Sequence, residues 1–235
     1  MSPPSNVIPF NPLERKHLGA SVAQALLGTP VRPLVALPRF EGAGVYAIYY
    51  TGDYPCYEAL ASANREGKFA LPIYVGKAVP EGARIGGGAA SSSAAGTDLM
   101  KRLRDHAKSV TQATNLDENE FHVRFLVVED IWIPLGESLM ISKFAPVWNT
   151  TLTGFGNHSP GSGRAGTMRP RWDQLHVGRP WANALADNLR STDELKREVE
   201  SYLRDFTIPT SQVVEVDPAL PIPPSVSFTD EETDV

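Results

Sequence analysis

The stretch "GVYAIYY", residues 44–50, decides the fold. It is built from β-branched, aromatic and small residues and flanked by glycines, so it reads as a buried strand. Working outward, "CYEALASANREG" (56–67) is a short helix candidate and "LPIYVG" (71–76) a second strand. A Gly/Ala/Ser-rich stretch, "KAVPEGARIGGGAASSSAAGT", follows and predicts a long flexible loop. It leads into a helix, "DLMKRLRDHAKSV" (98–110), with Thr97 or Asp98 as cap. "EFHVRFLVVED" (120–130) is a third strand, and "LGESLMISKFA" (135–145) a helix stopped by Pro146. The order helix, strand, strand, helix, strand, helix predicts a small mixed α/β sheet with helices on its faces.

The flanks read differently. "NPLERKHLGASVAQALL" carries Asn11 as N-cap, Pro12 at the first helical position and Glu14 placed for a capping box, predicting a helix to about Leu27. From Thr150 to Pro180 the chain is dense in Gly, Pro and Arg without periodicity, which predicts a long ordered or ligand-ordered loop. "STDELKREVESYLRDF" (191–206) is a surface helix with Ser191 and Glu194 as a capping box. The last ~25 residues, rich in proline and acidic at the end, read as disordered. These segments divide the chain into an N-terminal helical arm (1–40), a core (41–150), a loop with a C-terminal helix (151–206) and an acidic tail (207–235).

The 235 residues carry a net charge of −5. Glu215, Asp217, Asp230, Glu231, Glu232 and Asp234 put six acids and no Lys or Arg in the tail, so the rest of the chain sums to +1. An overall acidic balance therefore does not exclude a nucleic-acid partner. Arg164, Arg169, Arg171 and Arg179 face a single acid, Asp173, between Pro160 and Arg179, a local basic patch of the kind that meets phosphate. One cysteine, Cys56, allows no internal disulfide and no cysteine-rich metal cage, and no apolar run approaches a membrane span. The N-terminus lacks the basic-then-apolar layout of a secretory signal, so the expectation is a cytoplasmic protein with no membrane partner.

Two helices place polar residues where apolar ones belong. On the 98–110 wheel Leu99, Leu103 and Val110 lie within about 40° of one another, with Arg102 about 60° and His106 about 20° from Leu99, while Lys101, Arg104 and Asp105 point away. On the 135–145 helix Met140, Ile141 and Phe144 fall within about 60° of Glu137. An ionised carboxylate on an apolar face must be paired or hold a metal. A Glu137–Arg102 ion pair inside the core and a functional site explain the two residues equally well. Tyr46 and Tyr74 each lie in a strand near a glycine that admits a second backbone or a ligand. Taken singly, either is a core tyrosine.

As a set, "GVY…YVG…RLRDH…GESLM…PVWN" resembles the GIY-YIG nuclease superfamily over roughly Gly44 to Asn149. The resemblance implies a three-stranded antiparallel sheet carrying Tyr46 and Tyr74 as the motif tyrosines, Arg102 as the arginine of the following helix, Glu137 as the metal-binding glutamate and Asn149 as the asparagine after the proline-containing turn. His106 resembles a feature of the restriction-endonuclease branch. The long gap between the tyrosines, the insertion after "YVG" and the segment "GFGNHSPGSGR…RWDQLHVGRPWA" resemble restriction-enzyme elaborations, the last resembling type II enzymes that cut the palindrome CCGCGG.

The resemblance implies hydrolysis of double-stranded DNA with one Mg²⁺ per active site on Glu137, a hard cation that prefers one or two carboxylates, phosphate and water. Arg102, fork-shaped and always charged, suits the scissile phosphate. Tyr46 is the candidate acceptor of the water proton, provided that His106 or the field of Arg102 and the metal lowers its pKa. Tyr74 shares the proton or orients the water, and Asn149 donates to a phosphate oxygen or a metal-bound water. Lys77, after "YVG", neutralises phosphate or is simply solvated. Arg164, Arg169, Arg171 and Arg179 are candidates for guanine contacts or phosphate positioning, with Asn157, His158, His176 and Trp172 as helpers. A palindromic site implies a homodimer at least on DNA, and a host with a protective DNA methyltransferase. Two other readings stand beside this one: a nuclease of repair or mobile elements, and a DNA-binding module that has lost catalysis.

Overall fold

The computed structural model describes residues 14–80, 96–159 and 166–205. Strand β1 (Arg32–Pro33), β2 (Gly44–Tyr50), β3 (Tyr74–Ala78) and β4 (Phe121–Val127) form one antiparallel sheet in the order β1-β4-β2-β3. The three expected strands are present, with β2 between the other two. The fourth is a two-residue edge strand ending in a proline, which lacks the donor that a central strand needs.

Helix α1 (Arg15–Gly28) and α4 (Ile133–Phe144) cover one face, where Ala23, Leu26, Ile133 and Met140 pack on Val45, Ala47 and Tyr49 of β2. Tyr46, Ile48 and Tyr50 point to the other face. They meet α3 (Asp98–Gln112) through Leu99, Leu103 and Val110, and α8 (Thr192–Asp205) through Leu195 and Val199. Both faces of β2 are covered, so the whole strand is buried and reads as a continuous apolar run. The register Tyr46↔Gly76 and Ile48↔Tyr74 puts Tyr74 on the α3 face, and Val45↔Lys77 puts Lys77 on the α4 face.

Several boundaries differ from the sequence reading: of the helix expected over 56–67, only α2 (Glu58–Ser62) is α-helical. Helix α1 starts at Arg15 because Glu14 has extended backbone (φ −63°, ψ 140°), and the expected cap at Asn11 lies outside the described residues. Helix α4 starts two residues early, with Pro134 in its first turn where the missing N–H does no harm. Among the described residues, those after Asn149 are packed rather than an aperiodic loop. Short helices α5 (Val147–Thr150), α6 (Arg171–Leu175) and α7 (Pro180–Asn183) set Trp148, Phe155 and Trp172 into the same core as Tyr46. Aromatic burial holds these turns without a long periodic pattern. The Ser191 box forms as expected: Ser191 N–H donates to Glu194 Oε2 (2.8 Å) and Glu194 N–H to Ser191 Oγ (3.3 Å). The Gly/Ala/Ser-rich residues 81–95 and the tail lie outside the described residues. No helix among the described residues is long and apolar enough to cross a membrane.

Candidate active site

Strand β3 is the sheet edge, and α3 and α4 flank it from opposite faces. A cleft of about 400 Å³ opens there, lined by Tyr74, Lys77, Lys101, Arg102, Glu137 and His158 among others. The cleft unites residues from both faces of the sheet, which no single helical wheel predicts.

On the α3 face, the Tyr46 hydroxyl is 2.6 Å from His106 Nε2, in surroundings where both residues are buried. A side chain at Gly76 would place Cβ 2.4 Å from that hydroxyl, so the glycine of "YVG" makes room for the tyrosine of "GVY". Tyr46, Tyr74 and His106 cluster at ring separations of 5.2–6.2 Å. Burial pushes the Tyr46 phenol well above its ordinary value, Tyr74 adds to this, and Arg102 opposes it. Burial raises Tyr74 as well. The expected lowering by neighbours is therefore outweighed by desolvation within the protein alone. Burial, with the Arg102 charge, holds His106 well below 6.5, so its imidazole is neutral near pH 7 and its unprotonated ring nitrogen can accept a hydrogen bond. Of the two tyrosines, Tyr74 lines the cleft and Tyr46 is fully buried behind it.

Arg102 does not pair with Glu137. Its Nη2 donates to the Gly156 carbonyl (2.8 Å) and its Nη1 to His158 Nε2 (2.5 Å), while Glu137 Oε2 pairs with Lys77 Nζ at 2.7 Å. Each is engaged elsewhere, so the core ion pair does not form. Among the described residues no group of three or more His, Cys, Asp or Glu could hold a metal ion. Glu137 shares the open cleft with Asp98 and Asp105 on the α3 side, and one or two carboxylates suit Mg²⁺, which keeps waters and binds substrate phosphate rather than an all-protein cage. Glu137 fits that role once Lys77 yields it.

Asn149 is placed differently from the expectation of a phosphate or water contact. Its Oδ1 accepts from Val75 N–H and its Nδ2 donates to Val75 O, both at 2.8 Å, so the amide clamps the edge strand β3 onto α5. Cys56 is buried and its thiol is pushed up to about 12, which removes it as a nucleophile at neutral pH.

Within the expected arginine patch, Arg179 is a correction. Arg179 is 2 % exposed and all five of its N–H donors are engaged. Nε and Nη2 donate to Asp173, Nη2 also to Gly154 O (3.0 Å), and Nη1 to Phe155 O (2.9 Å) and Asn157 O (3.1 Å). It has nothing left for guanine. Arg169 pairs with Asp187 (3.0 Å) and donates to Ala182 O, and Arg171 pairs with Glu198. Arg164 lies outside the described residues. His176 is buried at a pKa of about 3 between Tyr57 (2.6 Å) and Asn115 (2.9 Å), and Trp172 is buried, so neither is placed to meet DNA. The side chain of Asn157 is exposed, and His158 stands at the cleft. Sequence reasoning missed Phe155, which stacks on His106 at 4.5 Å and 17°. The glycines on either side of it, Gly154 and Gly156, were the available signal of close approach.

The cleft at the β3 edge is lined by Tyr74, Arg102 and Glu137, with Tyr46 and His106 buried behind it, an arrangement that agrees with the GIY-YIG resemblance of the sequence. The family model of the Eco29kI GIY-YIG domain matches residues 38–203, and the chain belongs to that restriction-endonuclease family. No curated protein matches the chain.

Proposed function

We propose that the protein is a Mg²⁺-dependent type II restriction endonuclease that hydrolyses double-stranded DNA at a short GC-rich palindrome, CCGCGG being the site that the resemblance favours. The carrying observation is one cleft lined by Tyr74, Arg102 and Glu137, with the buried Tyr46–His106 pair packed behind Tyr74. Glu137 would hold the Mg²⁺, which when bound would relieve charge at the phosphate and lower the pKa of the attacking water. Tyr74 holds the water at the cleft, and Tyr46 takes its proton while releasing its own to neutral His106. This exchange spares Tyr46 from becoming a buried phenolate, which its raised pKa disfavours. It makes His106 a buried imidazolium, which its lowered pKa disfavours, so the step relies on the negative charge of the bound DNA phosphate to stabilise that cation. Arg102, already directed by Gly156, swings its fork to the phosphoryl oxygens, and Lys77 leaves Glu137 for phosphate.

DNA approaches along α3. Lys101 lines the cleft, and Arg104 and Lys108 continue the exposed side of the same helix, a row suited to successive phosphates. Sequence readout falls to exposed residues such as Asn157 and His158, and to Arg164. A palindromic site requires a homodimer on DNA, and the host needs a cognate methyltransferase for protection.

Plasmid DNA incubated with the protein tests the reading. Cleavage should require Mg²⁺ and stop with EDTA, and Glu137→Ala should still shift DNA in a gel while losing roughly two orders of magnitude or more in rate. Undiminished cutting by that variant would remove Glu137 as the metal ligand, and binding without cutting by the wild type would favour a DNA-binding module.

A further inference from the structure

Four consecutive carbonyls, Gly154 to Asn157, are captured by two arginines. Arg179 holds Gly154, Phe155 and Asn157 from outside the active site, and Arg102 holds Gly156 from within it. The guanidinium of Arg179 is fixed in turn by the buried Asp173 carboxylate and lies 4.7 Å from the ring centres of both Trp172 and Trp181. The segment so held supplies Phe155, stacked on His106 and edge-on to Tyr74 at 5.1 Å, and His158, bonded to Arg102. It approaches closely enough that a Cβ at Gly156 would lie 2.5 Å from the Tyr74 hydroxyl.

We infer that Arg179, paired with Asp173, is a positioning residue of the active site, setting Arg102 and His106 through the Gly154–His158 segment rather than reading DNA. The inference rests on the nuclease reading for its rate prediction and on geometry alone for its structural one. Five donors in a planar fork are needed to grip three carbonyls and both carboxylate oxygens, and a lysine ammonium has three donors at one point. Arg179→Lys therefore keeps the charge beside Asp173 and loosens the segment. Phe155 then withdraws from His106 and water reaches the imidazole.

The test measures Arg179→Lys three ways: DNA affinity, single-turnover cleavage, and the titration of His106 by NMR. The expected result is a folded protein with wild-type DNA affinity, cleavage slowed roughly 100-fold by misplacement of the catalytic groups, and a His106 titration moved up toward the ordinary histidine range. A rate per folded molecule equal to wild type with His106 unmoved overturns the inference. So does a loss of affinity that accounts for the whole loss of cleavage, which would return Arg179 to DNA recognition. If the wild type cuts no DNA, the nuclease reading fails, while the His106 titration still decides the positioning role. Should Arg179→Lys fail to fold, Phe155→Leu probes the same link from its other end, with a raised His106 titration and slowed cleavage expected and no change in either contradicting the inference.

Discussion

Tyr46 shows how one side chain serves two purposes. Its ring fills the core beneath α3 while its hydroxyl meets His106. Tyr46→Phe keeps the ring and removes the proton path, so cleavage should fall by roughly 10²-fold or more with DNA binding and melting temperature nearly unchanged. Because burial holds His106 well below 6.5, the single-turnover rate should stay insensitive to His106 protonation from pH 6.5 upward and fall only at more acidic pH. A rate governed by a group titrating near 6.5 would show that His106 is not the neutral acceptor. The helical wheel separated Arg102 from the exposed Arg104, since only an amphipathic periodicity was needed. The same sequence could not place Arg179, whose partners are backbone carbonyls that carry no residue-type signal.

At the scale of elements, the active site depends on an edge strand held in place. β3 pairs with β2 on one side only, and the Asn149 amide grips Val75 from α5. Gly76→Ala pushes a methyl against the Tyr46 hydroxyl, so we expect a loss of about 1–3 kcal/mol in stability together with a loss of cleavage, read by denaturant melts and plasmid digestion. Full activity in that variant would show that the β2–β3 face tolerates a shifted Tyr46. Elements with a clear period, β4 with its alternating burial and α3 with its apolar stripe, were legible in the sequence. The short helices after Asn149 were not, because five residues or fewer hold no period and packing of Trp148, Phe155 and Trp172 decides their shape.

For the whole molecule, the buried histidines link stability to pH. His106 and His176 have folded pKa values depressed below the unfolded 6.5, so their contribution is fully present above pH 6.5 and is lost as the pH falls, for His176 until about 3. At pH 5 His176 should have given up about 2 kcal/mol relative to pH 7.5, with His106 adding a loss of the same sign, and thermal melts across that range should show a falling midpoint; a flat profile would mean that neither imidazole is held neutral. Composition suggested a basic loop meeting DNA. The structure buries Arg179 and pairs Arg169 and Arg171 with Asp187 and Glu198, so the approach we propose for DNA runs along α3 and the cleft. The central claim is site-specific hydrolysis by this cleft, and mapping the ends of wild-type plasmid digests at nucleotide resolution tests it most directly. The account predicts Mg²⁺-dependent cuts at one GC-rich palindrome, placed symmetrically on the two strands; cuts scattered over unrelated sequences, or confined to branched DNA, would contradict it.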